Sequence, residues 1–366
     1  MDKYKVSVVV PTYNSGLFLN AFFDSMMYQS IGFENIQVIF VDDNSDDEYT
    51  LYLLELFDKN FSNVKSIFLD ENNGFPGKGR NIGLDLSDAE YVVFSDHDDT
   101  YVPEAFEIMY DAAKDKDVDM LITNYYKIFP SKRVEVTTVF DGENALINNF
   151  TDDERFFTID PAIWCKLFRK DFLIENDIHF LQGMLAEDLY VYIVSLLKSK
   201  CTYYLDDFFS YNYNIRNVEG DRSTIHIRNK KYLGKMVEGY YELDKFLADS
   251  DLAEYYSDIF NMHFVYWLTS LVLSDISDDD KRELIEYINP LLKKNVKTVP
   301  GFNERIYSNL TEPILADDYA ETVNIISSIK RYRGILNRFT DAFRKSERYF
   351  NVFKAQDIWK NIQCFH

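Results

Sequence analysis

Short apolar runs that stop abruptly at polar residues alternate with amphipathic segments along the first two hundred residues. Lys5 to Val10 reads Lys-Val-Ser-Val-Val-Val, β-branched and nearly continuous, the pattern of a strand covered on both faces. Pro11-Thr12-Tyr13-Asn14-Ser15-Gly16 ends it, and Leu17 to Gln29 carries helical spacing. Ile36 to Val41 repeats the strand pattern and closes on Asp42-Asp43-Asn44-Ser45. A helix over 49–58 and a strand over 64–69 follow, then a buried strand from Tyr91 to Phe94, a helix over 104–114 and a strand over 120–124. This alternation predicts a doubly wound, nucleotide-binding α/β sheet. Tyr203 to Tyr213 adds an aromatic strand. From about Lys230 the strand pattern stops, and 232–248, 252–273, 277–292, 319–329 and 335–359 are spaced as helices. The chain is therefore expected to divide into an α/β domain over 1–228 and an all-helical region over 229–366.

Candidate chemistry gathers at the strand ends. The strand Tyr91–Phe94 runs into Asp96, Asp98 and Asp99 ahead of Pro103, at the edge where open α/β sheets bind ligands. Like charges so close raise one another's pKa, and a divalent cation that favours oxygen ligands, Mg²⁺ or Mn²⁺, relieves them. An EF-hand is excluded, because Tyr101 stands where its glycine belongs. Taken alone, the cluster reads equally as a solvated acidic loop. Asp43 ends the second strand, where a carboxylate can accept from a base N–H or a ribose hydroxyl; Asp43, Asn44 or Ser45 could also cap the next helix.

Asn72-Asn73-Gly74-Phe75-Pro76-Gly77-Lys78-Gly79-Arg80 is a glycine-rich loop entering an amphipathic segment, suited to an anion such as a diphosphate. It is not a P-loop, since Gly-Lys-Ser/Thr is missing. Glu187-Asp188 opens a helix, either as dipole-favoured caps or with one of them as a general base in a cleft. Beyond Tyr213, a polar tail bearing Arg216 and Arg222 suits either closure over a phosphate or a surface linker.

Charge narrows the partners. With 61 acidic against 39 basic residues the net charge is −22, which argues against nucleic acid. Cys165, Cys201 and Cys364 have no metal spacing and suggest no disulfide framework. The start of the chain offers no signal peptide and no apolar run approaches ~20 residues, so a cytoplasmic protein is expected. The sign reverses at the end: over 329–360 the cations from Lys330, Arg331 and Arg333 to Lys360 outnumber Asp341, Glu347 and Asp357. Apolar positions there share one face. Such a segment suits a membrane surface or an anionic polymer, and equally a packed helix whose basic face offsets an acidic body.

Val6-Ser-Val-Val-Val-Pro-Thr-Tyr-Asn14, Val41-Asp-Asp-Asn-Ser45, Gly79-Arg-Asn-Ile-Gly83, Phe94-Ser-Asp-His-Asp-Asp99 and Ala186-Glu-Asp188 form one ordered set. Over about residues 5–225 it resembles the family 2 inverting glycosyltransferases of the GT-A fold. Asn73 to Asn81 together with Ala186-Glu187-Asp188 is similar to the branch that glycosylates wall teichoic acid poly(ribitol phosphate). The resemblance implies a Rossmann-like, mostly parallel sheet and transfer from a UDP-sugar, with Mn²⁺ or Mg²⁺, to a glycan, teichoic acid-like or lipid-linked acceptor. Membrane-surface contact is expected, if at all, through 329–360, and a homo-oligomer is a further possible partner.

By the same resemblance, Pro11, Tyr13 and Asp43 would line the uridine pocket and Arg80 would reach uracil or diphosphate. Asp96 would touch ribose and metal, Asp98 would be the principal metal ligand, and Asp99 its support. Asp188 would be the catalytic base with Glu187 beside it, Trp164 and Lys166 would lie below the acceptor site, and Arg222 would meet the diphosphate. His97 departs from the small residue more common in the family, and the helical tail departs from the β-modules of elaborated teichoic acid enzymes. A sugar nucleotidyltransferase has no need of Glu187-Asp188. A non-catalytic nucleotide-sugar-binding protein has no need of the acidic residues that are all present.

Overall fold

The computed structural model describes residues 3–136, 138–218, 221–222, 228–250, 252, 255–298 and 308–331. The chain forms two compact units, one of Met1–Ile227 with Lys231–His263, the other of Arg228–Lys230 with Phe264–His366.

The first unit is built on the predicted alternation. β1 (Tyr4–Thr12), β2 (Ile36–Asp42), β3 (Val64–Phe68) and β4 (Ala89–Phe94) are interleaved with α1 (Phe18–Met27), α2 (Glu48–Asn60) and α3 (Gly77–Leu86). The strands lie parallel in the order β3-β2-β1-β4. Val6, Val8, Val9 and Val10, with Val38, Ile39, Phe40 and Val41, are fully buried, which is why both strands read as continuous apolar runs. The chain winds outward from β1 to β3 and then returns to the other side of β1. This reversal opens a crevice at the carboxyl ends of β1 and β4, where ligands bind in such sheets.

The other half of the sheet is mixed, and most of it was not legible as strand. After β5 (Thr100–Tyr101) and α4 (Ala105–Lys116) come β6 (Met120–Phe129), β7 (Lys132–Val136) and β8 (Ala145–Ile147). β9 (Lys166–Arg169), α5 (Lys170–Glu175), α6 (Glu187–Lys198) and β10 (Thr202–Asn214) complete it. β9 is wedged antiparallel between β4 and β6, while β6 and β10 are parallel. β5, β7 and β8 are short antiparallel additions to β10 and β6. With two to five residues each, they are too short to show a period. β5 ties the acidic segment that precedes it to the end of β10, with Tyr101 opposite Tyr211.

Helix α2 is capped by Asp47, which accepts from the amides of Tyr49 and Thr50. The capping candidates Asp43, Asn44 and Ser45 lie earlier, on the turn itself. Beyond residue 228 the described elements are helical: α7 (Lys230–Asp249), α8 (Tyr256–Leu273), α9 (Asp278–Thr298) and α10 (Thr311–Leu315), with a further helix over 319–331. Residues 231–263, expected to open the helical domain, cluster instead with the sheet. The reason is local: α7 carries Gly239 against the backbone of Leu185, where a β-carbon would meet the Leu185 carbonyl oxygen at 2.0 Å. In the second unit Lys330 is bound to the Ser274 carbonyl and to Asp275 at 2.8 Å. The rest of the basic segment, 332–360, lies outside the described residues. Among the described residues no helix is long and apolar enough to cross a membrane.

Helix α3 approaches the sheet through Gly83, whose added β-carbon would stand 2.2 Å from Val9 Cγ1. Gly83→Ala should cost about 1–3 kcal/mol by overpacking and lower the thermal midpoint measured by circular dichroism. An unchanged midpoint would mean that α3 slides freely on β1.

Candidate active site

The glycine-rich loop and its helix deliver one guanidinium into the crevice. Arg80 lies in α3, its side chain 3% exposed beside the ring of Phe180. One terminal nitrogen, Nη1, donates to Asp188 Oδ1 at 2.6 Å and Glu187 Oε1 at 3.1 Å, and the other, Nη2, to Asp96 Oδ1 at 3.0 Å. Three carboxylates from distant parts of the chain thus share a single cation. Burial pulls the Arg80 pKa down, but Asp188, Asp96 and Glu187 outweigh it and hold it above the ordinary value. The Asp96 carboxyl is raised by burial despite Arg80, with Asp98 and Asp188 adding to the rise.

Glu187 and Asp188 are presented by the first turn of α6, directly after Ala186. Ala186 has φ +65°, a left-handed backbone rare for a residue with a β-carbon. Gly239 of α7 packs against this turn, and the Leu185 amide donates to the Lys235 carbonyl at 3.2 Å. The helix after the catalytic sheet therefore buttresses the turn that aims both carboxylates.

The acidic segment is fixed from the other side. Asp99 is buried, accepts from Tyr211 Oη at 2.9 Å and the Asn214 amide at 2.7 Å, and is raised well above the carboxylate range by burial and by Asp98 and Asp96. Asp99 thus ties the acidic segment to the end of β10. Asp98 pairs with Arg216 at 2.5 Å, and its carbonyl accepts from Asn214 Nδ2. His97 Nδ1 lies 3.4 Å from the Pro11 carbonyl oxygen, joining the ends of β1 and β4. Trp164 is stacked under Tyr211, with centroids 4.3 Å apart, and under Tyr213. Lys166 is wholly buried, its ammonium donating at 2.7 Å to the carbonyls of Asp160 and Ala162. Trp164 and Lys166 thus form a floor; Lys166 has no surface with which to touch an acceptor.

On the β2 side, Asp43 accepts from Asn73 N, Asn73 Nδ2 and Gly74 N, all within 3.0 Å, and so moors the glycine-rich loop. Asp42 is buried and bonds Thr12 and Ser45. Tyr13 is 47% exposed on the open side of this wall. Arg222 lies in a two-residue strand paired with Asn217–Val218, and its side chain is outside what the structure describes. Arg216, to which the sequence reading gave no role of its own, is the cation beside Asp98. The signal was its position two residues past the end of β10 in the polar tail.

Four carboxylates (Asp96, Asp98, Glu187, Asp188) meet two guanidiniums here, an excess of negative charge that a divalent cation would balance. Among the described residues no three His, Cys, Asp or Glu side chains come together as a metal cage. The donor set fits Mg²⁺ or Mn²⁺ in the other manner open to them, one or two carboxylates completed by substrate phosphates.

A parallel sheet that reverses at β1, with an acidic segment after β4 and a carboxylate pair at the mouth of a helix, is the arrangement of the GT-A fold. Residues 7–175, just under half of the chain, match the family model described as Glycosyl transferase family 2. It is 28% identical over 295 residues to the poly(ribitol-phosphate) beta-glucosyltransferase of Bacillus spizizenii, covering 79% of this chain and 45% of the relative. It is 29% identical over 232 residues to the poly(ribitol-phosphate) beta-N-acetylglucosaminyltransferase TarP of Staphylococcus aureus, covering 63% and 68% respectively. The crystal structure of S. aureus TarS 1–349 superposes with a TM-score of 0.69 at 22% identity, over 89% of this chain and 91% of that one. The same enzyme has been solved with UDP-GlcNAc. The chain spans about half of the B. spizizenii relative and two thirds of TarP.

Glu187 has its pKa pushed up to about 7, by burial first and then by Asp188, with Arg80 opposing. An unfolded carboxyl titrates near about 4.3, so the folded state holds the extra proton between these values. That contribution to stability is complete below the unfolded pKa and is lost as pH rises through about 7. Urea midpoints between pH 4.5 and 7.5 should therefore decline less in Glu187→Gln than in the wild type. An equal decline in both would assign it to another group.

Proposed function

We propose that the chain transfers a sugar, with inversion, from a UDP-sugar to a hydroxyl of a polyol-phosphate or related cell-surface polymer. The observation that carries this reading is the Arg80 guanidinium, which holds Asp188 and Asp96 on one centre. A base for the acceptor and a carboxylate for the donor are thereby kept at a fixed separation before any substrate arrives, which is what a single displacement needs.

In this reading the acceptor hydroxyl lies against Asp188, which takes its proton as the oxygen attacks the anomeric carbon. The new C–O bond forms as the bond to the UDP oxygen breaks, and UDP leaves with the electron pair. Glu187, held next to Asp188 and buried, orients the acceptor or donor sugar by hydrogen bonding. Arg216, beside Asp98, adds a positive charge on the leaving-group side. Asp98 with Asp96 would hold Mg²⁺ or Mn²⁺, which would supply a Lewis acid for the charge on the departing diphosphate. Tyr13, exposed next to the Asp43 wall, offers an open ring for the uracil. The poly(ribitol-phosphate) acceptors named for the relatives support an anionic polymer as acceptor.

Asp188→Asn keeps an acceptor for Arg80 but cannot take a proton. Transfer should fall by about 10²–10⁴-fold, while UDP binding measured by calorimetry stays unchanged. Comparable transfer by this variant would remove Asp188 from the base role.

Asp98→Ala should abolish the Mn²⁺ dependence of UDP binding in the same calorimeter. A variant whose UDP affinity still rises with Mn²⁺ would show that the cation is held elsewhere.

A further inference from the structure

The acidic chain carries a basic hairpin beside its active site that the transfer mechanism does not use. β6 and β7 are joined through Pro130 and Ser131, and Lys127, Lys132 and Arg133 project from them. Lys132 and Arg133 are exposed and Lys127 is half-buried. Among the described residues none of the three has a carboxylate within ion-pair distance, whereas Arg155, Arg169, Lys230 and Lys293 are all paired. In a chain of net charge −22, a hairpin with three cations against the single carboxylate of Glu135 is a local reversal of sign.

Their heads are also held in place. The Arg133 guanidinium lies 3.6 Å from the centroid of Tyr126, whose ring stacks on Phe209 at 4.8 Å. Lys132 stands over Phe129 at 5.3 Å and Lys127 over Tyr125 at 5.9 Å. An aromatic face orients a cation without neutralising it, and a guanidinium stacked on a ring keeps its N–H edge free for a phosphate.

Register brings the hairpin to the site and divides its cations: Lys127 and Lys132 share the face of Tyr213, while Arg133 lies on the other face with Glu135. Lys127 is paired with Tyr213 and Ile128 with Asn214, and Arg133 is opposite Ile128. Asn214 is the residue that holds Asp98 and Asp99. At about 4.8 Å per strand, Arg133 lies roughly two strand spacings, about 10 Å, from Asn214. A chain of phosphodiesters with one hydroxyl in the site would pass its neighbouring phosphates over the hairpin.

We propose that the free edge of the β6–β7 hairpin is the docking surface for an anionic polyol-phosphate acceptor, with Lys127 and Lys132 contacting its phosphates from one face and Arg133 from the other. This rests on the reading of the acceptor given above and locates it on the catalytic unit. The basic segment after Lys330 is not needed for it.

The test uses the full chain with Lys127, Lys132 and Arg133 all changed to Gln, and the three single variants. Binding of an end-labelled soluble poly(ribitol phosphate) is followed by fluorescence anisotropy at several salt concentrations, and UDP affinity by calorimetry. Wild type should bind the polymer with an affinity that falls as salt rises. The triple variant should bind about tenfold more weakly, with a flatter salt dependence and unchanged UDP affinity. Equal polymer binding by wild type and triple variant would overturn the proposal, as would absence of polymer binding by the wild type. Loss of binding to anionic phospholipid vesicles with polymer binding intact would also overturn it, in favour of a lipid surface. Polymer binding lost in the triple variant, from a wild type that never binds UDP, would support the surface while removing the transferase reading.

Discussion

The buried guanidinium of Arg80 is the interaction on which the site depends. Desolvating a cation and the carboxylates around it costs several kcal/mol per ion, recovered only with close geometry and multiple hydrogen bonds. Arg80 meets that demand by spreading its two terminal nitrogens over Asp96, Glu187 and Asp188. A lysine would need all three carboxylates to converge on one compact ammonium, whereas the guanidinium reaches them from two separated nitrogens. The arrangement joins segments that are far apart in sequence: the helix after the glycine-rich loop, the end of β4 and the start of α6.

That network needs α3 to lie very close to the sheet, and the glycines supply the closeness. Gly83 faces Val9 and Gly77 faces the Leu181 carbonyl at distances that no β-carbon tolerates. Glycine is otherwise a poor helix residue, so its repeated use in α3 trades helix stability for position. The same device recurs at Gly239, where α7 approaches the Leu185–Ala186 turn. Backbone contact of this kind transmits position with little slack. The geometry of Asp188 is thus set partly by a helix that follows the sheet in the chain.

Charge organises the rest. The crevice holds more carboxylate than guanidinium, which suits a cation and the anionic donor it would accompany. A net charge of −22 would repel a polyanion at long range. The basic hairpin would give such a polymer a local point of attraction at the free edge of β7. Acidic body and basic edge together would orient an anionic chain rather than simply attract it.

The alternation of apolar runs and helices determined the doubly wound half of the sheet, because strands buried on both faces need continuous Val, Ile and Phe. The sequence also located the carboxylates, since Asp96, Asp98, Asp43 and Glu187-Asp188 follow strands or open a helix whose periods are plain. The antiparallel strands β5, β7, β8 and β9 were beyond its reach: each is too short to display a period, and each exists only because a longer strand offers it hydrogen bonds. The partners of each charge were hidden as well. Nothing in the spacing says that Arg80 spans Asp96 and Asp188, that Arg216 pairs with Asp98, or that Lys166 is spent on backbone carbonyls. Sequence order settles which groups stand at strand ends; only packing of the sheet, α3, α6 and α7 brings groups a hundred residues apart within hydrogen-bonding distance.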